Sequence, residues 1–216
     1  MKKIGIIAEY NPFHNGHLYQ LKEIKKLFPD SLIIVVLSGN FTQKGDVSII
    51  NKWDKTNIAL DNNVDLIVEL PFCFACDGAD IFAKGSISIL KELQTDYLVF
   101  GSESNNIDKL YKLAETQINN KEFDMKLKEY LDKGLNYPNS LANSLKDLTG
   151  YEIKEPNDTL GITYIKEILK QKANIIPYSI KRTNDYNDLE LKGNIVSASA
   201  IRNGIKENRS TLIQTR

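Results

Sequence analysis

Short apolar runs rich in β-branched residues alternate along this chain with stretches whose apolar positions recur at helical spacing. The runs are Ile4 to Ala8, Leu32 to Leu37, Val64 to Leu70, Tyr97 to Phe100 and Ile175 to Ile180. Each reads as a buried strand, and the helical stretches between them predict a parallel sheet joined by crossover helices. Right-handed crossovers then make the fold α/β: a Rossmann-like, doubly wound, five-stranded parallel sheet. The first helix carries Leu18, Leu21, Ile24, Leu27 and Phe28 on one face and charge on the other, and Pro29 ends it. Between Asn105 and Lys172 the pattern is helical, with breaks near Asn119-Asn120, at Gly134 and from Tyr151 to Pro156. This predicts a helical insertion over residues 105–172, completing the α/β domain formed by 1–104 and 173–216. Pro156-Asn157-Asp158-Thr159 reads as a helix start capped by Asn157 or Asp158. Asn184 to Gly193 is polar and reads as a mobile loop, and Ser197 to Arg202 opens a last helix.

Ligands of such sheets bind beyond the carboxyl ends of the strands. Here those ends deliver Glu9 to His17, Ser38 to Asp46, Glu69-Leu70-Pro71, Phe100 to Glu103 and Lys181-Arg182. Taken singly, each could be ordinary turn chemistry; their convergence favours a site. The first is the most informative. A strand enters a helix through a loop holding Pro12 and Gly16, and the only two histidines, His14 and His17, sit in that turn. Free backbone N–H groups and the positive end of the helix dipole then meet at one point, which suits a phosphate. The plainer alternative is two surface histidines on a loop. At the last helix, Ser197-Ala198-Ser199-Ala200-Ile201-Arg202 reads either as a simple serine cap or as a second phosphate grip. Together the two helix ends could hold a nucleoside triphosphate.

Composition narrows the partners. Lys and Arg number 28, Asp and Glu also 28, so no bulk positive field advertises nucleic acid. Any RNA contact would come from a local patch, and DNA is not expected as a partner. The only arginines are Arg182, Arg202, Arg209 and Arg216, so each invites the question of whether its planar guanidinium clamps phosphate. The apolar run after Met1-Lys2-Lys3 stops at Glu9, and Leu32 to Leu37 is far too short to span a bilayer. A soluble, cytoplasmic protein with no membrane partner is the expectation. Cys73 and Cys76 form a lone Cys-x-x-Cys; with His14 and His17 the spacing and order are wrong for a zinc finger, and two small buried residues after a strand is the default.

Asn11-Pro12-Phe13-His14-Asn15-Gly16-His17 resembles the signature of the nucleotidyltransferase superfamily, which includes cytidylyl- and adenylyltransferases and class I aminoacyl-tRNA synthetases. The resemblance implies that the two histidines are catalytic, stabilising charge on the α-phosphate while pyrophosphate leaves. A narrower set resembles the bacterial tRNA(Met) cytidine acetate ligases: Glu9 to His17, Ser38 to Phe41 with Gln43-Lys44-Gly45, Lys52-Trp53, Glu69-Leu70-Pro71, Ala79 to Ser86, Phe100 to Glu103, Pro156-Asn157, Arg182 and Ser197 to Arg202. That family's activity would be to form acetyl-adenylate from ATP and acetate, then pass the acetyl group to N4 of the wobble cytidine of elongator tRNA(Met). The implied ATP contacts are Ile7, Ala8, Glu9, Tyr10, Asn11, Pro12, Phe13, His14, Asn15, Gly16, His17, Leu18, Tyr19 and Gln20, with Gly101, Asn157 and Arg182. To these the chemistry of the last helix adds Ser199 and Arg202 for the β- and γ-phosphates. Mg²⁺ is expected on the phosphates and water, with no protein metal ligand.

Two departures stand out. The family usually has arginine at the positions of Lys44 and Lys55, and lysine cannot make the bidentate contact. Its members also continue past the Ser-x-Ser-x-Ile-Arg motif into a region expected to help hold tRNA, so that region is expected to be reduced or absent in a chain that stops 14 residues after Arg202. Two alternatives stay open: a small-molecule adenylyltransferase acting on nicotinamide mononucleotide or phosphopantetheine, and a truncated, non-catalytic nucleotide-binding module.

Overall fold

The computed structural model describes residues 1–182 and 197–206. In chain order the elements are β1 (Lys3–Ala8), α1 (Asn15–Leu27), β2 (Leu32–Ser38), α2 (Lys52–Asp61), β3 (Leu66–Leu70), α3 (Phe72–Ala75), α4 (Ala79–Glu92), β4 (Tyr97–Ser102), α5 (Ile107–Asn119), α6 (Phe123–Asp132), α7 (Tyr137–Thr149), α8 (Pro156–Lys170), β5 (Ile176–Lys181) and α9 (Ala198–Lys206). The five strands lie in the order β3-β2-β1-β4-β5, and every neighbouring pair is parallel, with Ile4 opposite both Ile33 and Tyr97. The order reverses beside β1, whose carboxyl end therefore opens into the crevice where such sheets take ligands.

Both faces of the sheet are covered, which is why its strands read as continuous apolar runs. On one face Ile4, Ile6, Ile33, Val35 and Val99 pack with Leu21 and Ile24 of α1 and Ala59 of α2. On the other, Ile34, Val36, Leu98 and Phe100 meet Ile87 and Leu90 of α4, Leu110 and Leu113 of α5 and Ile162 and Ile165 of α8. Gly161 lets α8 come this close: a Cβ there would lie 2.4 Å from Cε2 of Phe100.

Several local expectations shift. The third strand begins at Leu66 rather than Val64, because Asn63 turns at φ +66° and the Val64 N–H donates to the Ala59 carbonyl of α2. Leu27 of α1 is 46% exposed, so the stripe facing the sheet is carried by Leu21 and Ile24. The residue at the start of α8 is Glu155, which makes no side-chain cap. Asn157 and Asp158 reach instead to the end of β4: the Asn157 amide donates to Glu103 Oε1 at 2.5 Å, and the buried Asp158 Oδ1 accepts from the Ser102 hydroxyl and the Glu103 N–H. Cys73 is exposed and Cys76 half-buried, both free, so they are not a buried pair. Asn184 to Gly193, Arg209 and Arg216 lie outside the described residues, among which no helix is long and apolar enough to cross a membrane.

Candidate active site

A single turn of α1 organises the site. His14 precedes the helix in extended conformation and caps it: its Nδ1 accepts the Gly16 N–H at 3.0 Å, while Nδ1 of His17 accepts the His14 N–H at 3.2 Å. This is the reciprocal arrangement of a capping box, made with two imidazoles. A ring nitrogen that accepts an N–H bond carries no proton, so in a neutral imidazole the proton sits on Nε2. Both rings are held neutral. Burial, then the Arg182 and Arg202 charges, push the His14 pKa down to about 4. Burial, then His14 and Arg182, hold His17 well below its usual value. The site thus presents two Nε2–H donors at the positive end of a helix. The rings stack at 3.9 Å and His17 lies edge-on to Tyr10 at 4.8 Å.

These donors open into a cavity of about 580 Å³ at the carboxyl ends of the strands. Of the ATP-contact residues expected from the sequence, all but Pro12, Phe13, Asn15 and Leu18 line it; of the strand ends, Thr42, Gln43, Lys44, Asp46, Phe100, Gly101, Lys181 and Arg182 do, whereas Ser38 to Phe41, Gly45, Glu69-Leu70-Pro71, Ser102 and Glu103 do not. Phe13 is buried under the loop, packed against Tyr10 and His17, and Leu18 packs against the same core; Asn15 opens α1. Gln20 ties α1 to β4 by donating to the Val99 carbonyl.

The arginines close the site from the other side. Arg202 donates from one guanidinium nitrogen to the Asn11 carbonyl at 2.7 Å and from the other to the Ser199 hydroxyl at 3.1 Å. Ser197 is a helix cap, accepting the Ala200 N–H, so of the two serines Ser199 is the one on the cavity's arginine. Arg182 runs across Gly101, where a Cβ would sit 3.2 Å from its Cγ. Its Nε is buried without a hydrogen-bond partner among the described residues, with Glu103 Oε1 3.7 Å away. Arg182, Arg202 and the two histidines line one cavity, a donor set suited to an anion, and the cavity has the size of a nucleotide-scale ligand.

The two lysines flagged from the sequence part ways. Lys44 lines the cavity and makes no ion pair among the described residues. Lys55 is fully buried and donates to the carbonyls of Glu9, Ser38 and Gly39 at 2.9, 2.8 and 2.6 Å. It fastens the ends of β1 and β2 together and does not reach the cavity; burial, partly offset by Glu9 and Glu69, pushes its pKa down to about 8. Thr42, Gln43, Asp46, Ala79, Phe82, Thr159, Leu160, Tyr164 and Lys181 also line the cavity. Thr42, Gln43, Asp46 and Lys181 belong to strand ends that the sequence brings to one crevice; the family resemblance was the one signal for the Ala79 to Ser86 stretch, and Leu160 and Tyr164 sit in an apolar helical stripe that reads as plain core.

A parallel sheet whose first strand feeds a histidine-capped helix above a polar crevice defines a nucleotidyltransferase type of site. Residues 1–215 match the family model described as HIGH Nucleotidyl Transferase. The tRNA(Met) cytidine acetate ligase of Mycoplasma mobile is 46% identical over 92% of this chain and 67% of its own length. That of Caldicellulosiruptor saccharolyticus is 46% identical over 95% of this chain and 52% of its own. The apo crystal structure of Thermotoga maritima TmcAL superposes with a TM-score of 0.90 at 38% identity, covering 97% of this chain and 52% of that one; the form bound with alpha-thio ATP gives 0.87 at 37%, covering 97% and 51%. The chain belongs to the HIGH nucleotidyl transferase family and, within it, to the tRNA(Met) cytidine acetate ligases. It spans between about half and two thirds of the length of these relatives.

Proposed function

We propose that this chain is the ATP-dependent part of a tRNA(Met) cytidine acetate ligase, acting in the cytoplasm. An acetate oxygen attacks the α-phosphorus of ATP, the α–β bridging P–O bond breaks, and its electron pair leaves on pyrophosphate. The N4 amine of the wobble cytidine of elongator tRNA(Met) then attacks the acetyl carbonyl, AMP leaves, and the amine loses a proton. The first step needs no protein nucleophile, only in-line positioning and donors aimed at charge on phosphorus oxygens. The observation that carries the reading is the pair of neutral histidines whose Nδ1 atoms are spent on capping, leaving both Nε2–H groups for the α-phosphate. Arg182, Ser199 and Arg202 hold the β- and γ-phosphates, with Gly101 and Asn157 on the nucleoside side. Mg²⁺ would accompany the triphosphate and offset its charge, with none of this chain's residues assigned to hold it. Residues 1–104 and 173–216 with the helices of 105–172 make up this ATP-dependent part.

The test is ATP–pyrophosphate exchange with acetate as the only added acid, with and without unmodified tRNA(Met). Acetate-dependent exchange is the expected result. AMP transfer to nicotinamide mononucleotide or phosphopantetheine in its place, or ATP binding with no turnover at all, would overturn the reading.

A further inference from the structure

The cavity has two unlike sides. The histidines, arginines and Ser199 form one. The other is a wall built from Ala79 and Phe82 of α4, Phe100 of β4, and Leu160 and Tyr164 of α8. Phe82, Phe100 and Tyr164 are only 3, 6 and 3% exposed. Among these five side chains the only polar atom is the Tyr164 hydroxyl, and among the described residues it has no hydrogen-bond partner. The Tyr10 hydroxyl is also unpartnered but is sealed inside the core, whereas that of Tyr164 is not sealed off. The Tyr164 ring is fixed edge-on to Phe100 at 6.0 Å, and the close approach of Phe100 to Gly161 leaves that pair no slack. A phenol placed rigidly on a ligand cavity with nothing to donate to is a donor awaiting a partner.

We propose that this wall is the acyl subsite of the reaction proposed above, on which it rests: the methyl group of a short carboxylate lies on Phe82, Phe100 and Leu160, and the Tyr164 O–H donates to its non-attacking oxygen. When the other carboxylate oxygen bonds to the α-phosphorus and pyrophosphate departs with the bridging electron pair, the oxygen on Tyr164 becomes the acetyl carbonyl oxygen. No proton moves; the phenol keeps its hydrogen throughout. In the second step the same oxygen gathers negative charge as the amine attacks, and the fixed O–H stabilises it as an oxyanion-hole donor does. Burial, then Glu9, hold the phenol's pKa above its usual value, so it stays a donor. Ala79 is the small member of the wall and sets its width.

Two variants test this, each read by acid-dependent ATP–pyrophosphate exchange and by ATP affinity. Tyr164→Phe keeps the ring and its packing; a lost hydrogen bond to a charged oxygen raises the acetate KM by about 10- to 100-fold, with the ATP KM within about twofold. Ala79→Leu narrows the wall and moves the preference from acetate toward formate by about 10-fold or more. An unchanged acetate KM in Tyr164→Phe overturns the role of the hydroxyl, and an unchanged acid preference in Ala79→Leu overturns the wall, while the ligase reading stands on the unsubstituted chain's exchange. An unsubstituted chain that binds ATP but shows no acid-dependent exchange overturns both.

Discussion

His14→Asn separates what the His14 ring does for the helix from what it does for the reaction. In the native chain its Nδ1 accepts the Gly16 N–H at 3.0 Å. Asparagine is among the best N-cap residues, and its side-chain oxygen can accept that same N–H. It has no counterpart of the Nε2–H on the far side of the ring. The expected outcome is a thermal midpoint close to that of the unsubstituted chain together with a loss of about 100- to 1,000-fold in acetate-dependent exchange, the usual effect of removing one transition-state donor. His14→Ala loses the cap as well. Removing a cap typically costs about 1 kcal/mol, which for a chain of this size lowers the midpoint by about 2–4 °C. The assay is exchange at saturating ATP and acetate beside a thermal melt of all three proteins. Native-level exchange in His14→Asn would show that Nε2–H is not used, and an asparagine variant destabilised as much as the alanine one would show that the Nδ1 contact does not hold the helix.

Three further outcomes follow from the same geometry. The folded-state pKa of His14 is about 4 and that of His17 lies well below the usual value near 6.5, so the folded chain binds fewer protons than the unfolded one in that window. Stability is therefore fully present above pH 6.5 and is lost as pH falls toward 4; urea midpoints at pH 7, 6 and 5 should decline, less so in His14→Asn, and a flat series would contradict the buried neutral rings. Lys55→Met leaves the Glu9, Ser38 and Gly39 carbonyls without their donor and should destabilise by about 1–3 kcal/mol or more, read from denaturant unfolding; a change under about 0.5 kcal/mol, the scatter of ordinary surface substitutions, would deny it that fastening role. Gly101→Ala places a Cβ 3.2 Å from Arg182 Cγ and should raise the ATP KM several-fold with little change in melting; an unaltered KM would take Arg182 off the nucleotide.

The sheet was legible because parallel strands covered on both faces need apolar residues at nearly every position, and Ile4 to Ala8 and Leu32 to Leu37 meet that requirement. Element ends were less so. Asn157 and Asp158 are good capping residues, yet their side chains are drawn to the Glu103 carboxylate and the β4 terminus, partners more than 50 positions away in the chain. The histidine pair could be placed at a helix start from its spacing, whereas the division of labour between Nδ1 and Nε2 needs the capping geometry. Lys55 stood out only as a lysine where the family usually has arginine and is a buried fastener, since nothing local says that two strand ends will close around it. Tyr164 was hidden for the opposite reason: its helical stripe promises core, and only the packing of α4, β4 and α8 leaves its hydroxyl on a cavity.

Arg202 reaches back across 191 residues to the Asn11 carbonyl, and the same asparagine's side chain accepts the Ser48 hydroxyl and the Ile49 N–H. Three distant stretches are thus tied at one residue, through its main chain and its side chain, and β1, the first strand synthesised, acquires its β4 neighbour only after about residue 97 exists. A ribosome-bound chain therefore carries the histidine motif long before it carries a crevice. The crevice is closed only once Arg202 has been added, and contacts of such high sequence separation place the folding of this part on the slow side for its size.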